Sequence, residues 1–276
     1  MILDDYYTLS NGVRIPKLGL GTWLIADDAA AGLVRQAIEI GYRHIDTAQA
    51  YENERGVGEG LRASGVARDE IFLTTKLAAE SKTLADARAR IDGSLKALAV
   101  EHIDLMLIHS PQPWSAFRKG EHFLEGNLQA WRALEEAQAA DKLRAIGVSN
   151  FEQVDLDNII GNATVKPSVN QLLAHVGNTP FELIDYSKSK GLLVEAYSPV
   201  AHGAVLGDRS LAEMAQGYGV SVAQLCIRYC LQLGLLPLPK TTNPEHLQAN
   251  AELDFTISDA DMDTLVNVER DTDYGE

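Results

Sequence analysis

Short apolar runs alternate along the chain with longer segments in which apolar residues recur every three or four positions. A short apolar run bounded by turn residues predicts a buried strand, whereas the longer spacing predicts one face of an amphipathic helix. Leu84, Ile91, Leu95 and Leu98 show the helical spacing within "TLADARARIDGSLKALAV". Strands are predicted at residues 16–23, 43–48, 71–76, 103–109, 143–150, 167–172, 192–198 and 235–240.

Helix starts are marked by residues that cap helices or favour their first turn, namely Asp27 with Asp28, Thr83 and Ser258. Alternation of strands and helices implies parallel strands joined by helical crossovers. Eight such units predict an α/β fold, a (β/α)8 TIM barrel with eight parallel strands, and a doubly wound sheet is the alternative. No proline-rich linker, low-complexity tract or repeat divides the chain, so we expect one domain over residues 1–276.

The composition of the chain disfavours several classes of function. The net charge of −15 disfavours a nucleic-acid partner, which needs clustered Lys and Arg. No apolar run approaches the length of about 18 residues that a membrane span needs, and the acidic N-terminus lacks the pattern of a secretory signal. Cys226 and Cys230 have helical spacing and are expected as buried free thiols. We therefore expect a cytoplasmic monomer, without membrane or metal, since no pair of histidines has the spacing of a metal site.

The polar residues at the predicted strand exits matter because barrels of this type carry active sites where strands end. The second unit supplies Asp46 and, in its loop, Tyr51; the third supplies Lys76 and the fourth His109. Unrelated turns would favour Gly, Pro, Asn and Asp instead. The other exits carry Gly21, Thr22, Trp23, Ser149, Asn150, Asn170, Gln171, Tyr197, Ser198 and Lys240.

These side chains make chemical sense together. Tyrosine has an ordinary pKa near 10, and a neighbouring ammonium such as that of Lys76 lowers it by favouring the phenolate. Asp46 would neutralise the lysine, because a buried unpaired cation is costly. His109 would donate a hydrogen bond to a substrate oxygen. The set suits the reduction of a carbonyl to an alcohol, with Tyr51 as proton donor.

The motifs "GLGTW", "GYRHIDTAQAYENE", "TTKL", "LIHSP", "IGVSNF", "NQL", "AYSP" and "PKTTNPE" resemble those of the aldo-keto reductases, in the same order and over about residues 9–268. Bacterial members similar to diketogluconate reductases are the nearest in appearance. The resemblance implies a (β/α)8 barrel and an NAD(P)H-dependent reductase. It also implies a catalytic tetrad of Asp46, Tyr51, Lys76 and His109, with Tyr51 as general acid.

The resemblance further implies a bound nicotinamide cofactor. Its carboxamide would be held by Ser149, Asn150 and Gln171, and Tyr197 would stack on its ring. Where the family often has an arginine on the 2′-phosphate, this chain has His246, which is mostly neutral above a pKa near 6.5. NADPH is the expected cofactor, and the histidine leaves room for NADH. The rest of the expected cofactor set is Gly21, Thr22, Ser198, Lys240, Thr241 and Asn250.

Trp23 and Trp114 are expected to wall a substrate pocket beside Tyr51 and His109, for small carbonyl compounds, keto sugars or diketones. The polar tail at residues 269–276 is expected to be too short for a large flap over this pocket. Two alternatives remain: a Schiff-base aldolase using Lys76 or Lys240, and a regulatory barrel that binds nucleotide but turns over weakly.

Four further features complete the sequence predictions. The run "GVGEGL" at residues 56–61 is expected to be helical, not a phosphate-binding loop, because no strand precedes it. Glu54 is expected at the start of that helix as an acid complementing its dipole. Asn53 has no expected chemical role. Trp131 is expected in the core.

Overall fold

The computed structural model describes residues 1–268. The tail at residues 269–276, which was expected to be too short for a flap, lies outside the described residues. The chain starts with a helical turn, Ile2–Asp4, and an antiparallel pair of strands, β1 (Tyr6–Thr8) and β2 (Arg14–Pro16). The predicted strand at 16–23 was wrong in extent, because Pro16 ends β2 and the first barrel strand is a separate short one.

The eight barrel strands pair in parallel and in chain order. Backbone bonds from Gly19 N to Pro237 O (3.2 Å) and Gly21 N to Pro239 O (3.0 Å) join the first strand to the last. The predicted (β/α)8 barrel is confirmed, and the doubly wound alternative is excluded. The strands are β3 (Leu20–Gly21), β4 (His44–Asp46), β5 (Phe72–Leu77), β6 (Ile103–Ile108), β7 (Leu143–Ser149), β8 (Val169–Leu173), β9 (Leu193–Tyr197) and β10 (Leu236–Leu238).

Helices surround these strands and follow the predicted amphipathic segments. The helices are α1 (Asp27–Ile40), α2 (Glu54–Ala63), α3 (Leu84–Leu98), α4 (Leu124–Ala139), α5 (Gln153–Asn162), α6 (Phe181–Ser189), α7 (Arg209–Gly217), α8 (Val222–Gln232), α9 (Pro244–Ala251) and α10 (Asp259–Val266). Short 3₁₀ turns cover Gln49–Tyr51, Arg68–Glu70, Trp114–Ala116 and Ala201–Gly207.

Two of the expected helix starts are confirmed by their caps. The side chains of Thr83 and Ser258 accept hydrogen bonds from the first turns of α3 and α10. Asp27 is the first residue of α1 but does not cap it. Its carboxylate instead accepts from Gly56 N on α2 at 2.7 Å, so it ties two helices together.

The run "GVGEGL" lies within α2, as expected. Its glycines mark close helix contacts, since a Cβ on Gly58 would lie 2.8 Å from Leu98 Cα of α3 and one on Gly60 2.7 Å from Ala31 O of α1. The glycine spacing therefore serves packing, and α2 sits close enough to its neighbours to fix the loop that precedes it.

An apolar cluster fills the barrel interior towards the N-terminal ends of the strands. It joins Leu105, Leu107 and Leu236 to Ile15 of the hairpin. Asn11 Nδ2 also donates to Arg144 O at 3.0 Å, so the hairpin covers this end of the barrel. The candidate catalytic residues lie at the opposite end. Trp131, Cys226 and Cys230 are buried, as expected.

Candidate active site

The four candidate catalytic residues meet at the C-terminal end of the barrel. Asp46 is the last residue of β4, Lys76 lies one residue before the end of β5, and His109 directly follows β6. Tyr51 ends the 3₁₀ turn after β4. Because neighbouring parallel strands end on the same side of a sheet, residues that are 25 to 58 positions apart in the sequence come into contact.

Lys76 is the centre of this cluster. Its Nζ lies 2.5 Å from Asp46 Oδ1 and 3.1 Å from Thr47 O, and it donates to Tyr51 Oη at 3.3 Å. The side chain is fully buried. Burial alone would lower the pKa of Lys76, but the Asp46 carboxylate and Tyr51 raise it above its usual value, so the ammonium form is held.

The net pKa of Tyr51 differs from the expectation. Lys76 does favour the phenolate, as predicted, but burial favours the neutral phenol more strongly and Asp46 adds to it. The pKa of Tyr51 is therefore raised above 10 in the structure, and the predicted net lowering was wrong. A buried phenol beside one ammonium remains protonated at neutral pH, which is the form a proton donor needs.

His109 is buried and neutral. Burial, together with the charge of Lys76, lowers its pKa well below 6.5. Its ring meets Tyr51 edge-on at 5.6 Å between centroids and Trp114 at 4.9 Å. Within residues 1–268, His109 Nδ1 has no hydrogen-bond partner. A neutral imidazole in this position can donate one hydrogen bond and adds no positive charge.

Ser149, Asn150 and Tyr197, expected around the nicotinamide, form one connected group. Asn150 Nδ2 donates to His109 O at 3.1 Å, and Tyr197 Oη donates to Asn150 Oδ1 at 2.9 Å. Ser149 Oγ donates to Gln171 O at 3.0 Å. Asn150 has a φ of 60°, a left-handed turn that directs its side chain back over the strand ends. These groups join the exits of β7, β8 and β9 beside the tetrad.

Gln171 takes part in a contact that the sequence did not indicate. Its Nε2 donates to Asp46 Oδ2 at 3.0 Å and to Glu195 Oε2 at 2.7 Å. Glu195 lies in the middle of β9 and is fully buried. Sequence reasoning missed this acid, although a single carboxyl inside the apolar run "LLVEAYS" was a signal for it.

The remaining expected cofactor residues are spread around the rim. Lys240 follows β10 and is exposed, and His246 is exposed on α9 with its Nδ1 3.5 Å from Thr241 Oγ1. Asn250 is buried on the same helix. The other three lie at the strand ends. Thr22 Oγ1 donates to Asp46 O at 3.0 Å, and Gly21 N donates to Pro239 O, which joins the first barrel strand to the last. Ser198 directly follows β9 and has a φ of 52°.

Aromatic rings border the mouth beside the tetrad. Trp114 is 39% exposed and contacts His109, whereas Trp23 is 42% exposed and contacts His202 at 4.9 Å between ring centroids. His202, in the 3₁₀ turn after β9, was not expected at the mouth. Trp114 therefore lies against the tetrad and Trp23 follows the exit of β3, and both have enough exposed surface to contact a ligand.

Two residues beside Tyr51 have roles that the sequence did not indicate. Asn53 is buried, accepts from Thr47 Oγ1 at 2.7 Å and donates to Thr22 O and Ile25 O, both at 2.9 Å. Glu54 is the first residue of α2, as expected, but its side chain is buried, with Thr75 Oγ1 donating to it at 2.6 Å. Both side chains hold the segment that carries Tyr51 against the barrel.

Within residues 1–268, no helix is long and apolar enough to cross a membrane, and no cluster of three His, Cys, Asp or Glu has metal-site geometry.

A family model described as "Aldo/keto reductase family" matches residues 17–270. The chain is 38% identical over 275 residues to glyoxal reductase of Bacillus subtilis, covering 99% of this chain and 96% of that protein.

Solved structures agree with this likeness. An aldo/keto reductase from Brucella melitensis matches with a TM-score of 0.89 at 35% identity, over 96% of this chain and 99% of that one. A Bombyx mori aldo-keto reductase in complex with NADP matches with a TM-score of 0.86 at 32% identity, over 96% of this chain and 92% of that one.

Proposed function

Because the chain belongs to the aldo/keto reductase family, whose members are oxidoreductases, we propose that it reduces small aldehydes and ketones to alcohols with NADPH, using Tyr51 as proton donor. The observation that carries the proposal is the buried Lys76 ammonium in contact with both the Asp46 carboxylate and the Tyr51 hydroxyl. Keto sugars and diketones belong to the proposed range, and the relative named glyoxal reductase supports small dicarbonyls.

The residues at the barrel mouth fit a nicotinamide cofactor by their chemistry. The Ser149 hydroxyl and the Asn150 amide contact each other at the end of β7, and the Gln171 amide lies on the neighbouring strand β8; such groups suit both the donor and the acceptor of a carboxamide. The ring of Tyr197 lies next to them. Lys240 supplies an exposed cation on the same rim for a phosphate.

In the proposed reaction, the bound cofactor supplies the hydride that the carbonyl carbon accepts. Tyr51 Oη gives its proton to the carbonyl oxygen, and the adjacent Lys76 ammonium stabilises the phenolate that remains. Asp46 holds Lys76 in place and charged. Neutral His109 donates a hydrogen bond to the same oxygen and so orients the carbonyl. Trp23 and Trp114 contact the rest of the substrate.

Cofactor choice depends on the adenosine end. Lys240 and Thr241 support NADPH, and the NADP complex of the Bombyx mori relative is consistent with it. His246 does not offer the permanently charged, bidentate group that an arginine would present to a phosphate. We therefore propose NADPH as the preferred cofactor, with measurable use of NADH. A cytoplasmic, single-domain monomer stays part of the proposal.

A Schiff-base aldolase that uses Lys76 is disfavoured, because this lysine is held in its charged form. A Schiff base forms from a neutral amine, whereas the Asp46 pair holds this buried lysine as the ammonium. Borohydride in the presence of a carbonyl substrate should therefore leave Lys76 unmodified. Nothing among the described contacts favours a regulatory barrel with weak turnover over an enzyme.

The test follows the absorbance of NADPH and NADH with a panel of small aldehydes, ketones and diketones. Tyr51→Phe removes the transferable proton and should lower kcat by about 100-fold or more, while NADPH still binds. Tyr6→Phe is the matched control, because Tyr6 lies in the distant hairpin under Arg14. Full turnover by Tyr51→Phe would remove that tyrosine from its proposed role.

A further inference from the structure

Glu195 is a buried acid that the proposed reaction does not use. Its strand neighbours in register are Gln171 on β8 and Leu236 on β10. Its side chain lies inside the barrel, because it bonds the Gln171 amide that also reaches Asp46 across the barrel. Tyr197, two residues further along β9, lies at the strand end, which puts Glu195 in the layer beneath the mouth. Its Oε2 accepts from Gln171 Nε2, and its Oε1 has no partner within residues 1–268.

A chain of contacts leads from this acid to the proposed proton donor. Gln171 Nε2 donates to Glu195 Oε2 at 2.7 Å and to Asp46 Oδ2 at 3.0 Å. The other oxygen of Asp46 holds Lys76 at 2.5 Å, and Lys76 contacts Tyr51 Oη at 3.3 Å. Since the Gln171 amide nitrogen bonds both acids, the oxygen on the other branch of the same amide group points away from Glu195 and Asp46.

The charge state of Glu195 follows from these surroundings. A buried carboxylate with an unpartnered oxygen is costly, and the ionised groups that face it are Asp46 from β4 and Lys76 from β5. Its neighbours on β8 and β10, Gln171 and Leu236, carry no charge. Burial, and then the negative charge of Asp46, raises the pKa of Glu195 to about 8, so the acid is mostly protonated at neutral pH.

We propose that Glu195 is a positioning residue that fixes the amide of Gln171 and, by its own ionisation, controls the charge balance around Asp46, Lys76 and Tyr51. In the neutral form it holds Gln171 with its nitrogen inward and its oxygen available to a carboxamide. When Glu195 ionises, a second negative charge joins Asp46. That charge disfavours the phenolate of Tyr51, so proton transfer from Tyr51 becomes harder as the pH rises.

The first test needs no activity and so stands apart from the proposed function. Infrared difference spectra between parent and Glu195→Gln, recorded from pH 6 to 10, should show a protonated carboxyl in the parent that disappears as the pH passes about 8. NADPH binding, followed by protein fluorescence, should be nearly unchanged in Glu195→Gln. It should weaken by up to about tenfold in Glu195→Leu, which removes the acceptor for Gln171.

The second test rests on the proposed function. Provided that the parent reduces carbonyl compounds, its kcat should fall as the pH rises through this ionisation. In Glu195→Gln the fall should move upward by about one pH unit or more. Glu135→Gln is the matched control, since it neutralises a glutamate that accepts from Thr164 N and Val165 N and has no contact with Gln171, and its profile should match the parent.

Different results would overturn the proposed reductase function and the Glu195 proposal. No NADPH or NADH oxidation by the parent would overturn the proposed reductase function and leave the infrared and binding tests standing. The Glu195 proposal is overturned if the carboxyl signal is absent at neutral pH, or if Glu195→Gln keeps the parent's profile. A shift of equal size in Glu135→Gln would overturn it too. If Glu195→Leu does not fold, the isosteric Gln variant still decides.

Discussion

Asp46→Asn removes the counter-ion of Lys76 with almost no change in side-chain volume. The pair spans 2.5 Å and is 0% and 4% exposed, so water cannot replace the lost carboxylate. Breaking a buried pair from one side typically costs about 3 to 5 kcal/mol, because the other charge stays behind. Lys76 can avoid part of that cost by losing its proton, and this makes the loss depend on pH.

The magnitude follows from the ordinary lysine pKa of about 10.4 in the unfolded chain. Holding Lys76 neutral in the folded variant costs about 2.6 kcal/mol at pH 8.5 and about 0.7 kcal/mol at pH 10. The folded variant then binds fewer protons than the unfolded chain, so its stability rises with pH. In the parent the raised pKa of Lys76 makes its contribution complete below about 10.4, with loss only as the pH passes the folded value.

The assay is urea unfolding of both proteins at pH 8.5 and pH 10, followed by tryptophan fluorescence. The deficit of Asp46→Asn should shrink by about 2 kcal/mol between the two pH values. Asp92→Asn is the matched control, since its pair with Lys142 spans 2.6 Å but is 61% and 42% exposed. That change should cost less than about 1 kcal/mol at either pH. An equal deficit for Asp46→Asn at both pH values would refute the reasoning.

Two further predictions concern cofactor choice and packing. His246→Arg places a permanent charge near Lys240 and should raise the preference for NADPH over NADH by about tenfold in kcat/KM; an unchanged ratio would contradict our interpretation of this position. Gly58→Ala should destabilise the protein by about 1 to 3 kcal/mol in urea unfolding, because its Cβ would lie 2.8 Å from Leu98 Cα. The control Gly93→Ala meets nothing within 4 Å and should be neutral or stabilising.

The strand exits could be predicted from the sequence because their pattern is local. A short apolar run ending in one polar residue places Asp46, Lys76 and His109 at the same end of any parallel barrel. The hairpin of β1 and β2 could not be predicted in the same way. Each of its strands has three residues, and so short a strand has no periodicity of its own to distinguish it from a loop.

The pKa of Tyr51 could be predicted from the sequence only in part. The sequence placed an ammonium beside Tyr51, and the direction of that influence was right, but the pKa also depends on burial, which no motif contains. The same limit applies to two acids near helix starts. Asp27 and Glu54 have the position of cap or dipole residues, yet they bond to Gly56 N and Thr75 Oγ1 on other elements.

Gln171 shows most clearly why side-chain contacts inside a barrel cannot be predicted from a sequence motif. Its bond to Asp46 joins residues 125 positions apart, across the barrel and not between adjacent strands. Alternation along β9 places Glu195 and Tyr197 on the same face, so the sequence does predict that this acid points inward. It cannot predict which inward residue meets it. A lone carboxyl facing the inside of an apolar barrel must find a donor among the few polar side chains there. In this chain those polar side chains belong to the tetrad and its neighbours, and this is why Glu195 is coupled to the proposed chemistry.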